Sequence, residues 1–286
     1  MSATLLQGRE VAAAIGEAIG TRVEAITAAG EAPPSLRILL VGNDDASAVY
    51  AGGLQKAGVK LGMSVEIDTY DQNLTEEELS TAVATLNDEA SVDGVIVAMP
   101  LPKHLSSSIV SSSLDARKDV DGITIANAGS LYLGNPVHVP STAAAILELL
   151  KRNEIPLKGA EVVVVGRSPV VGKPVAMLLV REHSTVTMCH TRTVDLAAHT
   201  LRADILIAAA GSPRCITGDM IKPGAVVIDA GINVVEGGIV GDVAFDEAVE
   251  VARSITPVPG GVGPLTNVLL LQSVVENAEG RSGFTG

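Results

Sequence analysis

Aromatic residues are nearly absent: the chain has no tryptophan, two phenylalanines and three tyrosines among 286 residues, although 47% of it is hydrophobic. Its core must therefore be assembled from alanine, valine, isoleucine and leucine. That composition suits helices packed on a parallel sheet whose central strands are β-branched runs. Cysteine is scarce too, with only Cys189 and Cys215, which excludes a disulfide framework and points to a reducing cytosol. Basic residues fall short of acidic ones, 20 against 33, leaving a net charge of −13. The deficit argues against nucleic acid or an anionic membrane surface as partner. It leaves room for an anionic small molecule, since a few local donors suffice to hold a phosphate. No apolar run approaches the roughly 20 residues of a membrane span. The opening MSATLLQGREVAAAIG has no basic flank ahead of an apolar run, so no signal peptide is expected and the expected location is the cytoplasm. His104, His138, His183, His190 and His199 show no metal-ligand spacing and pair with neither cysteine in a zinc pattern, so no metal is expected.

What is present is strand–helix alternation. Val11, Ile15, Ile19, Val23 and Ile26 share one face of a helix that stops at Gly30. The run SLRILLVG predicts a buried strand, followed by a helix from about Ala46 to Leu61 and a second strand, SVEIDTY. Thr75–Glu78 reads as a capping box opening a helix to Asn87, and GVIVAMP as a third strand stopped by Pro100 and Pro102. From Lys118 to Pro140 the periodicity fails, and Gly, Asp, Asn and Pro predict loops. Ser141–Thr142 then caps an apolar helix to about Asn153. A second alternating block follows: strand EVVVVG, a helix from Gly172, strand STVTMC, a helix from Asp195, and strands DILIAAAG and AVVIDAG. GINVVEGGIVGDV reads as a glycine-rich hairpin, and a last helix runs from Pro264 to about Asn277. The expected class is α/β, with two domains around a cleft, a boundary near Pro140, and a Rossmann-like dinucleotide-binding second domain.

The segment VVVVGRSPVVGKP carries the strand Val162–Val165 straight into a glycine-started loop and a helix. This is the context of a dinucleotide site, with backbone close to the pyrophosphate and helix amides facing it. The G-x-G-x-x-G form is absent. A P-loop is excluded because five residues rather than four separate Gly166 from Gly172, and Pro174 follows the lysine. The next strand ends CHTRT, Cys189–Thr193, without the acid that would bind a ribose hydroxyl. Arg192, with Arg167 and Ser168, instead offers cations and a hydroxyl suited to a ribose phosphate, which favours NADP over NAD.

Taken together, VGRSPVVGKP, CHTRT, ADILIAAAGSP, IKPGAVVIDAGIN, GDV and TPVPGGVGPLT, with VGNDDASAVY, PLP and KDVDG in the first half, resemble the methylenetetrahydrofolate dehydrogenase/cyclohydrolase family. The resemblance extends over essentially the whole chain. It implies an oxidoreductase of one-carbon metabolism acting on a tetrahydrofolate derivative, a homodimer, and NADP as cofactor. It further implies a folate domain over residues 1–140, joined by the C-terminal helix 264–286, and a nucleotide domain over 141–263. Tyr50, Asp121 and Pro259–Gly263 match the family's folate site, with Pro100 beside them in PLP. Gly166, Arg167, Ser168, Thr191 and Ile232 match its nucleotide site, where Arg192 joins them.

Other positions depart from the family pattern. Its lysine, four residues after the tyrosine, is Leu54; its glutamine is Ala98; the histidine after KDVDGF is Thr124. PCTPxG reads Pro140, Ser141, Thr142, Ala143, Ala144, Ala145. Lys56 lies six positions after Tyr50, about 240° round a helix, and so points elsewhere. Hydride transfer needs positioning and no side-chain proton. Hydration of the methenyl cation needs a general acid/base, which neither leucine nor alanine supplies. The expectation is an NADP-dependent dehydrogenase in which Tyr50 and Asp121 serve the folate and cyclohydrolase activity is lost or very weak. The alternatives are a bifunctional enzyme that moves protons through water or a displaced Lys56, a paralogue with a related substrate, and a sensor of NADP or folate without turnover.

Overall fold

The computed structural model describes residues 2–282. In chain order the elements are β1 (Thr4–Leu5), α1 (Gly8–Ala28), β2 (Ser35–Val41), α2 (Asp45–Lys60), β3 (Ser64–Tyr70), α3 (Glu76–Asp88), β4 (Gly94–Val97), α4 (Ser107–Ser113), α5 (Ile125–Tyr132) and α6 (Ser141–Arg152). There follow β5 (Glu161–Val165), α7 (Gly172–Arg181), β6 (Thr185–Cys189), α8 (Leu196–Thr200), β7 (Ile205–Ala208), β8 (Val226–Asp229), β9 (Asn233–Val235), β10 (Gly238–Val240), α9 (Phe245–Val251), β11 (Ser254–Ile255) and α10 (Val262–Ser282).

The chain forms two compact units. One comprises Ala14–Ser141 with the residues from Asn267 onward; the other comprises the residues up to Ala13 with Thr142–Thr266. The first thirteen residues thus belong with the later block, where the sequence reading counts them with the earlier one. The cause is β1, which pairs in parallel with β11; two-residue strands carry no periodicity to read.

The first unit is built on a three-stranded parallel sheet ordered β3-β2-β4. Leu39, Val41, Val95 and Val97 meet Leu79, Val83 and Leu86 of α3 in its core. The expected capping box opens α3, since Thr75 accepts from the Glu78 N–H and Glu78 reaches back to the Thr75 N–H. The stretch expected as loop between Lys118 and Pro140 holds a helix, α5. Thr124 caps it by accepting from the Asn127 N–H, and Asn127 is buried against the Asp119 carboxylate at 2.8 Å. Its glycine and asparagine disguise it, because tertiary hydrogen bonds rather than propensity stabilise it.

The second unit carries a six-stranded sheet, β1-β11-β8-β7-β5-β6, parallel throughout. Strand β5 has β6 on one side and β7 on the other, so the winding reverses between β5 and β7. Open α/β sheets bind ligands at such a switch point, beyond the carboxyl ends of the strands. Four buried valines of β5 suit an interior strand with a neighbour on either side. The expected hairpin is present as the antiparallel pair β9–β10.

Candidate active site

At the carboxyl end of β5 the chain turns at Gly166 with φ +130°, a backbone state that disfavours any residue with a Cβ. A Cβ there would also strike the Ala209 carbonyl just past β7, and one on Gly172 would strike the Gly166 carbonyl. The loop is therefore closed to side chains where a pyrophosphate needs backbone. Ser168 braces the loop just before α7, its hydroxyl oxygen accepting from the Val171 N–H at 3.0 Å. Among the described residues its own proton has no acceptor. Arg167 is exposed beside it. Past β6, His190 shapes a turn by accepting the Arg192 N–H on Nδ1 at 3.0 Å and donating its backbone N–H to Thr193 Oγ1 at 2.9 Å. Thr191 and Arg192 are left exposed on that turn. Neither Arg167 nor Arg192 forms an ion pair among the described residues. Ile232, before β9, is 67% exposed. These groups suit a dinucleotide bearing an extra phosphate: glycine backbone for the pyrophosphate, two unpaired guanidinium groups and a hydroxyl for the phosphate.

In the same unit the segment Pro257–Gly261 follows β11. Pro259 is preceded by a cis peptide bond and Gly260 has φ +119°. The Gly260 carbonyl accepts the Gly8 N–H at 2.9 Å, and Gly261 donates to the Pro257 carbonyl at 2.8 Å. Pro259 is exposed while Gly261 is buried.

The first unit holds the other expected residues. Asp44 caps α2, and the Ser47 hydroxyl lies 2.7 Å from the Asp44 carboxylate and 3.0 Å from the Met99 carbonyl. The start of α2 is thereby fastened to the chain leaving β4, where Pro100 is exposed and follows a cis bond. One turn on, Tyr50 retains 36% of its surface accessible. Burial around the phenol pushes its pKa up, and the nearby negative charge of Asp121 adds to the rise. The Val95 N–H donates to the Lys118 carbonyl at 2.7 Å, so Lys118–Val120 runs along β4 and delivers Asp121 past the sheet's edge.

Asp119 and Asp121 differ in role. Asp119 is fully buried and its carboxylate accepts the N–H groups of Ile123 and Thr124 and the Asn127 amide; it shapes the loop. Asp121 accepts from the Ser141 hydroxyl at 3.1 Å. Burial pushes its pKa up to about 7, the Ser141 bond opposing and the Asp119 charge assisting. Leu54 and Ala98 present no polar atom. Leu54 is wholly buried, on the stripe of α2 that also buries Ser47, Ala51 and Gly58, and Ala98 is 3% exposed. Lys56 is exposed. Gln55 is occupied, its amide donating to the Val65 carbonyl at 3.0 Å.

Sequence reasoning overlooked Ser141 as a partner of Asp121, and overlooked two buried acids, Asp229 and Asp242. The available signal was a glycine within two residues of each acid, in VIDAG and GDV, where backbone closes on a carboxylate. Among the described residues no group of three or more His, Cys, Asp or Glu is placed to hold a metal. None of their helices is long and apolar enough to cross a membrane.

Comparison with known proteins finds relatives of both halves of the chain. Residues 6–121 match the tetrahydrofolate dehydrogenase/cyclohydrolase catalytic domain, and residues 140–282 match the tetrahydrofolate dehydrogenase/cyclohydrolase NAD(P)-binding domain. The bifunctional protein FolD of Dechloromonas aromatica is 44% identical over 285 residues, covering 99% of this chain and 100% of the relative. Among solved structures, the bifunctional FolD of Campylobacter jejuni superposes with a TM-score of 0.96 at 39% identity, over 98% of this chain and 100% of that one. The Trypanosoma brucei dehydrogenase-cyclohydrolase, solved with NADP and an inhibitor, gives 0.93 at 36% identity over the full length of both chains. The chain belongs to the tetrahydrofolate dehydrogenase/cyclohydrolase family.

Proposed function

We propose that this protein oxidises methylenetetrahydrofolate to methenyltetrahydrofolate with NADP as hydride acceptor, and that it has lost, or nearly lost, the cyclohydrolase step. The observation that carries the second half is Leu54, apolar and fully buried where the family has its lysine.

The residues divide the work. The Gly166 loop and α7 receive the pyrophosphate, and Arg167, Ser168 and Arg192 the ribose phosphate, with Thr191 and Ile232 completing the nucleotide site. NADP, when bound, supplies the hydride acceptor. Asp121 pairs with the donor edge of the pterin, and Tyr50 offers a neutral phenol and a ring face beside it. Pro100, Pro259, Gly260 and Gly261 contribute backbone and apolar surface to the substrate. Oxidation transfers a hydride from the methylene carbon, and the folate nitrogens carry the resulting cation, so the protein has no proton to move. Ring opening by water differs, because water loses protons as a nitrogen gains one. A positioned acid/base contributes about 10²–10⁴-fold to such a step. Leu54 and Ala98 cannot act in it, and Lys56 faces solvent.

A second reading, a bifunctional enzyme like its named relatives, draws on Asp121. A carboxylate pushed to about 7 exchanges protons at neutral pH and could replace the lysine in part. The resemblance also implies a homodimer, which sedimentation of the purified protein tests.

The experiment incubates enzyme with methylenetetrahydrofolate and NADP and follows NADPH and methenyltetrahydrofolate together by absorbance. The reading expects equal amounts of both, rising in step. NADPH without lasting methenyl signal supports the bifunctional reading, and no NADPH at all sinks the dehydrogenase assignment.

A further inference from the structure

Two buried carboxylates at the carboxyl end of the six-stranded sheet have no part in the chemistry above. Asp242 is 0% exposed and Asp229 is 4% exposed. Asp242 Oδ2 accepts the backbone N–H groups of Ala210 at 2.6 Å and Gly211 at 2.9 Å. Its Oδ1 accepts the Ser212 N–H at 3.0 Å and the Asn233 side-chain amide at 2.9 Å. Asp229 seats its neighbour: Oδ1 accepts from Gly231 at 2.9 Å and from the Asp242 N–H at 3.0 Å, and Oδ2 accepts from Val243 at 2.9 Å. The pair thus gathers the loop after β7, the loop after β8 and the base of the β9–β10 hairpin. Backbone dipoles and one amide balance the charge, the charge-assisted kind of bond that is strongest.

Backbone packs closely on both carboxyl groups. A Cβ on Gly231 would strike the Asp242 carboxyl group, and a Cβ on Gly241 would strike that of Asp229. The gathered loops border the switch point. The β7 loop begins at Ala209, whose carbonyl closes the space above Gly166. Ile232 lies between Gly231 and Asn233, both anchored to the pair, and so is held outward. Arg192 lies on the β6 side of the switch point, which places the phosphorylated ribose there. The other half of the dinucleotide then extends over β7 and β8, where the pair works.

We infer that Asp242, seated by Asp229, is a positioning residue of the nucleotide site: it sets the course of Ala210–Ser212 and the presentation of Ile232 to the nicotinamide half of NADP. This rests on the reading of NADP at the Gly166 loop. Asp242→Asn preserves size but turns an NH₂ group toward backbone donors. Steady-state kinetics and NADPH fluorescence titration of the folded variant should show the NADP KM and the NADPH Kd raised about tenfold or more, the folate KM staying within about twofold. An NADP KM within about twofold of wild type, or both KM values rising together, overturns the inference. Should that variant not fold, Asn233→Ala removes one bond from the same carboxylate. It should raise the NADP KM alone, about threefold, and an unchanged value overturns the inference. Wild-type protein that fails to bind NADPH would overturn the nucleotide reading itself, a failure distinct from that of Asp242.

Discussion

The Ser141 hydroxyl donates to Asp121 Oδ1 at 3.1 Å, and it is the hydrogen bond this carboxylate makes among the described residues. Ser141 is 6% exposed, so the bond is shielded from water. Gly122, with φ +64°, lets the loop press on Val139 and Pro140, where a Cβ would come within 2.8 Å of backbone. The position that is cysteine in the family's PCTPxG pattern is here a better donor, aimed at the acid proposed to hold the pterin.

A pH dependence of stability follows. Asp121 titrates at about 7 in the folded chain, because burial disfavours its charge, against about 3.9 when unfolded. A raised carboxylate pKa means the folded state binds the proton more tightly, so stability falls as pH rises from about 4 to about 7 and is level above. Asp229, pushed up to about 6 by burial and by Asp242, acts with the same sign over a narrower window. Asp121→Asn should flatten part of the decline, giving a higher Tm than wild type at pH 8 and a smaller difference at pH 4. Thermal scans across that range check it; parallel curves would refute the assignment.

Restoring the family's residues should restore proton transfer at a cost in stability. Leu54→Lys with Ala98→Gln puts an amine where a side chain is now wholly buried, so its pKa should be depressed, as a general base at neutral pH requires. The double variant should hydrolyse methenyltetrahydrofolate about 10²-fold or more faster than wild type. Its Tm should drop by several degrees, about 1–3 kcal/mol. A stable double variant with no added hydrolysis would contradict the account of the substitutions.

Arg192 is the residue proposed to favour NADP over NAD. Arg192→Ala should raise the NADP KM about tenfold or more while leaving the NAD KM within about twofold, since on the proposed reading the arginine meets only the extra phosphate. Equal changes for both nucleotides would place Arg192 outside the site.

Regular elements were readable because burial writes its own pattern. The four consecutive valines of β5 and the Thr75–Glu78 capping box follow from local chemistry. Strands β1 and β11 are too short to show alternation, and α5 hides behind glycine and asparagine because it depends on Asp119, Thr124 and Asn127 meeting in space. The candidate site divided in the same way. Gly166, Tyr50 and Asp121 sit in recognisable runs. Asp242 gathers groups more than twenty residues distant along the chain, from Ala210 to Ser212, and no local spacing encodes that. That Leu54 is fully enclosed, rather than merely apolar, also needed the packing of α2.

The most direct test supplies methenyltetrahydrofolate to the wild-type protein, without NADP, and follows loss of its absorbance against buffer alone. Enzyme-independent decay, alongside NADPH formation in the forward assay, is the result predicted for a dehydrogenase whose proton-transferring residues have become Leu54 and Ala98. Decay that accelerates in proportion to enzyme would contradict that claim and return the protein to the bifunctional class.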